Sequence, residues 1–280
     1  MKKNGIGSRL LIALTFLFLY APIFVLIVFS FNATKSRSIW AGFSLRWYAE
    51  LFADRAIMEA LQTTLMVSSL AAVISCVAGT AAAIGIFALK RRTRSVVLTV
   101  NNIPLTNADI ITGVSLSLLF MLAIDTFNKT LGLDLSKGFG TMLIAHITFD
   151  IPYVILSLLR KLRQLNPNIY EAAQDLGATG LVAFRKVILP DLMPGIVNGL
   201  LMAFTMSIDD FVISYFTAGA KVSTLAMEIY SMARRKISPE INAISTLLFV
   251  SVLLLLFIIN LREAQQERKA KRQQAALSAK

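Results

Sequence analysis

Six apolar runs, each about as long as a bilayer is thick, constrain this chain more than any other feature. They lie at roughly 10–31, 64–89, 97–124, 139–159, 194–217 and 241–261. A helix needs about 20 apolar residues to cross the hydrocarbon. The runs predict an all-α integral membrane fold with six transmembrane helices, read as one domain over 1–280. The first run follows a basic start but is too long for a signal segment, and no small-x-small site follows it. It is read as an uncleaved first span.

The charge of +12 is explained by where the cations fall. Eighteen of the 28 Lys and Arg lie at the N-terminus, between spans two and three, between spans four and five, and in the tail. The opposite loops mix the rest with acids. By the positive-inside rule both termini are cytoplasmic. The basic excess therefore reports topology and contact with anionic lipid, not nucleic-acid binding. The single cysteine, Cys76, and single histidine, His146, exclude a disulfide within the chain and a multi-histidine metal site. No cofactor and no metal are expected. No catalytic residue is expected either: phosphate-loop, G-x-S-x-G and H-E-x-x-H patterns are all missing.

Two segments carry more than topology. The link 160–193 is longer than two spans need and has helix signals of its own. Asn166 can cap a helix with Pro167 at its first position, and Gly177 can end it in the left-handed conformation. Thr179 can cap a second helix that Pro190 stops. The expected product is a helix–Gly–helix elbow over 166–190. The second segment is span five, "AFTMSIDDFVISYF", with Asp209 and Asp210 at membrane depth. Acids there line water-filled paths or bundle interiors and mark function by default. Ser207, Asp210 and Ser214 fall on one helical face, with Thr205 and Asp209 in a neighbouring row. A multiply charged cation would satisfy both carboxylates.

Asp109 and Asp150 also lie within spans. Asp109 follows Pro104 in a polar stretch and is read either as path or as helix packing. Asp150 is one turn from His146, and the two are expected to pair. In the loop after span one, Ser44 can cap a short helix from Leu45 to Phe52. Trp40, Trp47 and Tyr48 there suit an interfacial anchor or contact with a cationic ligand.

The stretch "EAAQDLGATGLVAFRKVILP" resembles the signature of ABC importer permeases. Glu171, Ala172, Ala173, Gly177, Leu189 and Pro190 match at the family's spacing, and Val187 stands where Ile is usual. The resemblance implies a type I importer permease fold, with the elbow docking into a cytoplasmic ATPase. "SIDDFVISYF", "FNATKSRSIWAGFSLRWYAELF", "AHITFDIPY" and "SPEINAIST" are similar to the permease subunits of spermidine/putrescine importers. That resemblance implies a second related permease, two ATPase subunits and an extracytoplasmic polyamine-binding protein as partners. Asp209, Asp210, Asp109, Ser207 and Trp47 are then candidates for the substrate path. The alternatives are an importer permease for iron or a small organic ion, or a passive cation channel.

Overall fold

The computed structural model describes residues 6–35, 39–166, 168–235 and 239–278. Its helices in chain order are α1 (Ile6–Ser30), α2 (Arg46–Ala53), α3 (Arg55–Ala88), α4 (Arg91–Thr106), α5 (Asp109–Leu131) and α6 (Phe139–Leu162). They continue with α7 (Ile169–Asp175), α8 (Gly180–Ala183), a π-helical turn (Phe184–Ile188), α9 (Leu189–Ile208), α10 (Val212–Thr217), α11 (Leu225–Arg235) and α12 (Pro239–Ser278). Among the described residues, six helical segments are long and apolar enough to cross a membrane: Leu10–Ser30, Arg55–Ala88, Asp109–Leu131, Phe139–Leu162, Gly180–Ile208 and Glu240–Ile258.

Three expected boundaries are corrected. The run 97–124 is two helices, because Asn107 and Ala108 are extended between α4 and α5. The Thr106 hydroxyl donates to the carbonyls of Asn102 and Ile103, so side chains compete with the backbone ladder there. Asp109 thus opens α5, where a carboxylate suits the helix N-terminus, instead of lying inside a span. The run 194–217 is broken after Ile208 and resumes at Val212. Pro190, expected to stop a helix, instead lies in the first turn of α9. The π turn before it shifts the bonding to i+5, with the Leu189 N–H donating to the Phe184 carbonyl. The missing proline donor therefore falls where the ladder changes pattern.

The described residues form two compact units, 1–59 with 228–254 and 60–227 with 255–280. In the first, the loop after α1 is tightly bonded. Asn32 is fully buried; its amide donates to the Ile39 carbonyl and accepts from the Ala41 N–H. The Trp47 indole N–H donates to the Asn32 carbonyl at 2.6 Å. Ser44 accepts from the Arg46 N–H at the start of α2, close to its expected role.

The second unit is built around α6, of which 61% of the spanning window is buried. Small residues let its neighbours approach. A Cβ at Gly199 would lie 3.3 Å from Val154 Cγ1, and one at Gly195 would lie 2.9 Å from Lys161 Cβ. On the other side, a Cβ at Gly79 of α3 would lie 2.8 Å from Val154 Cβ. Glycines four apart on α9 thus form a small-xxx-small face against α6, a common way for membrane helices to pack. That face was readable in "GIVNG" but is absent from the motif reading above.

Candidate functional site

The break in span five is held by side chains, not by a special backbone conformation. Asp209 and Phe211 keep negative φ near the helical region. The Asp210 carboxylate accepts from the N–H of Ile213 at 3.2 Å and of Ser214 at 2.8 Å. It therefore caps α10, satisfying two of the donors that a new helix leaves open. Its side chain is only 7% exposed. His146 of α6 reaches the same place, with Nδ1 2.6 Å from Ser207 Oγ and Nε2 2.9 Å from Ser214 Oγ. Its Nε2 is also 3.6 Å from Asp210 Oδ2. The imidazole touches the last turn of α9 and the first turn of α10 at once.

This brings Ser207, Asp210 and Ser214 together, as their spacing predicted, although no continuous helix joins them. It also separates the two acids. Asp209 is exposed and accepts no hydrogen bond among the described residues. Asp210, expected to be unpaired, is turned inward and partnered. Beside Asp209, the rings of Phe211 and Tyr215 lie 5.5 Å apart, with Tyr215 54% exposed.

The expected His146–Asp150 bond is not made, because both imidazole nitrogens are engaged by serines. Asp150 is fully buried, and neither carboxylate oxygen has a hydrogen-bond partner among the described residues. Asp109 is exposed at the start of α5. Tyr153 lies within electrostatic reach of both Asp109 and Asp150. Lys137 was missed as a neighbour of the spans: its ammonium donates to Ser117 Oγ of α5 at 3.0 Å.

Trp47 is placed otherwise than expected. It is 1% exposed, its N–H is used, and Lys35 and Arg46 stand over its ring at 5.8 and 5.3 Å. It is a core residue of its loop, with no open face to offer a ligand.

The elbow has the expected glycine hinge. Gly177 has φ +83°, and a Cβ there would meet nothing within 4 Å. Its N–H donates to the Gln174 carbonyl at 2.8 Å, and the Ala178 N–H to the Ala173 carbonyl at 3.1 Å. That pair of bonds is a Schellman motif, and it gives the spacing from Ala173 to Gly177 a physical reason. Asn166 accepts from the Asn168 N–H; Pro167 lies outside the described residues. Thr179 precedes α8 but makes no side-chain cap. Glu171 and Ala172 are exposed, Ala173 and Leu189 half-buried, and Pro190 exposed. Leu176 and Leu181 stand out at 90% and 70% exposed. Among the described residues, no group of His, Cys, Asp and Glu is arranged to hold a metal ion.

Residues 75–272 match the model of the family described as binding-protein-dependent transport system inner membrane component. This chain belongs to that family. The matched segment contains every candidate residue above except Trp47. This inner membrane component is 39% identical to the putrescine transport system permease protein PotI of Escherichia coli (strain K12), over 92% of its own length and 91% of the relative's. It is 34% identical to the spermidine/putrescine transport system permease protein PotC of Haemophilus influenzae, over 87% and 91%. Among solved structures, it matches a bacterial alginate ABC transporter in complex with its periplasmic protein, with a TM-score of 0.70 and 19% identity, over 91% and 92%. An amino acid ABC transporter matches with a TM-score of 0.54 and 19% identity, over 78% of this chain and 98% of that one. The inner membrane component thus has the all-helical fold of ABC importer permeases and is a multi-pass membrane protein.

Proposed function

We propose that this chain is a permease subunit of an ATP-driven polyamine importer, acting as one transmembrane domain over 1–280. Relatives matched along about nine-tenths of its length are named as putrescine and spermidine/putrescine permeases. The single structural observation that carries the reading is Asp209, an exposed carboxylate without a hydrogen-bond partner, set in a break of a membrane-spanning segment. Such a group in a water-filled path attracts an ammonium, and the neighbouring aromatic faces of Phe211 and Tyr215 suit the methylenes and charge that follow. Asp109, exposed where α5 begins, is a second negative station. Ser207 and Asp210 form the wall that holds Asp209. Trp47 is left out of the path because its ring is buried.

The chain forms half of the path, and a second related permease the other half. Both termini face the cytoplasm, as the cation distribution requires. The elbow at 166–190 docks a cytoplasmic ATPase: Glu171, Ala172 and Ala173 supply a slim helix, and Gly177, Leu189 and Pro190 frame its return. The exposed Leu176 and Leu181 give the apolar contact that a groove-binding helix needs. Two ATPase subunits hydrolyse ATP, and an extracytoplasmic polyamine-binding protein delivers the solute.

Uptake of radiolabelled putrescine by the reconstituted importer, competed with spermidine and ferric iron, tests the solute. Competition by spermidine and not by iron is expected, together with at least a tenfold loss of uptake in Asp209→Asn at normal complex yield. Competition by iron alone, or undiminished uptake by Asp209→Asn, overturns the reading.

A further inference from the structure

We propose that His146 is a positioning residue for transport: it sets where the Asp209 carboxylate stands by clamping both sides of the break. The inference rests on the reading of Asp209 as a station on the path.

The two pieces of span five belong to different neighbours. The α9 piece packs chiefly on α6, through Gly195 and Gly199. The α10 piece packs first on α5, where a Cβ at Gly113 would lie 3.0 Å from the Phe216 ring and 3.4 Å from the Val212 carbonyl. No regular helical bond ladder spans residues 209–211 to hold the pieces at a fixed angle. Asp209 sits in that gap, so its carboxylate is aimed by the angle between the pieces.

Three contacts fix the angle, and two run through one ring. His146 ties Ser207 on the α9 side to Ser214 on the α10 side. Asp210 secures the start of α10 and stands 3.6 Å from the same imidazole. Farther along α6, the Thr141 hydroxyl donates to the Thr217 carbonyl at 2.7 Å. The imidazole suits the role because it is planar and presents two polar atoms on opposite edges, one for each serine. It is 1% exposed, so water does not substitute for either serine while the clamp is closed. With the clamp released, Asp209 is no longer held in one place, and transport suffers through weaker capture of the cation.

The test is a double-mutant cycle on the full reconstituted importer, reading putrescine uptake kinetics and complex yield together. His146→Ala is expected to raise KM about tenfold with Vmax within about twofold, and Ser207→Ala or Ser214→Ala to raise it about threefold each. In an Asp209→Asn background, His146→Ala is expected to add nothing further to the loss in Vmax/KM, because the group it positions has lost its charge. Losses that multiply across the two sites overturn the proposal, as does a fall in yield or Vmax without a change in KM. Should His146→Ala fail to assemble, the two serine variants carry the same cycle with Asp209→Asn. Normal uptake by Asp209→Asn would remove the path reading itself; a large effect of Asp209→Asn with multiplicative losses would remove only the role of His146.

Discussion

The elbow at Gly177 and the break at Asp209 both interrupt a helix, by opposite means. At the elbow, every bond that makes the turn lies within six residues: Gly177 to Gln174 and Ala178 to Ala173. The turn depends on one backbone conformation, and its surroundings are empty. At the break, the backbone stays near helical angles, and the bond partners of His146 are 61 and 68 residues away in sequence. A locally made turn keeps its shape whatever docks against it. A turn held by distant side chains keeps its shape only while the bundle around it stays closed. The first suits a docking element, and the second suits a moving part of a transport path.

The sharpest way to break this comparison is to wedge the bundle without touching either interruption. Gly199→Leu places a large side chain against Val154, where even a Cβ would be 3.3 Å away. Overpacking of this kind costs about 1–3 kcal/mol or more. Complex yield is expected to fall most in this variant, because α9 is lifted from α6 and Ser207 from His146. Limited proteolysis should find the elbow as resistant as in the parent. An elbow that becomes cleavable would mean that its turn also depends on the bundle.

A smaller effect is expected from the elbow itself. Gly177→Val forces a β-branched residue to φ +83° at a cost of roughly 1 kcal/mol or more, whereas Gly177→Asn tolerates that region. Valine should leave yield intact but lower the stimulation of ATP hydrolysis by the loaded binding protein, and asparagine should restore most of it. Equal stimulation by all three forms would show that the turn does not matter for coupling.

The smallest effect is expected at Asp150, which is fully buried with no partner for either oxygen among the described residues. Asp150→Asn keeps the shape and removes the possibility of an uncompensated charge, so thermal stability of the complex should hold or rise slightly. A clear loss of stability would mean that the carboxylate has a counter-charge in the assembled importer.

The same distinction decides what could be read from the sequence. Gly177 was legible because its signal is local: a glycine at the end of a short helix. Ser207, Asp210 and Ser214 were legible as a group because helical spacing places them on one face, and a single ring then gathers them. The break between them was not legible, because what holds it comes from α6. The pairing of His146 with Asp150 failed for the same reason: one turn of separation permits a bond, but serines from another helix took both nitrogens. Trp47 was judged by its residue type and its place in an outer loop. Its burial is set by Asn32, fifteen residues earlier, which supplies the carbonyl for its N–H. Pro190 was read from what proline forbids in a regular ladder, and the π turn makes the ladder irregular just before it.

That π turn has one more consequence. Phe184–Ile188 lies within a continuous helical run from Gly180 to Ile208, between the elbow and the glycine face on α6. Each residue of a helix advances the azimuth by about 100°. The extra residue in the wide turn therefore acts as a phase offset, indexing the docking end of the run against its membrane end. Losing any one residue from 184–188 would leave every motif spelled as before downstream of the gap, yet rotate Gly195 and Gly199 away from Val154 by roughly a quarter turn. In this chain, the length of the segment carries information that its letters do not.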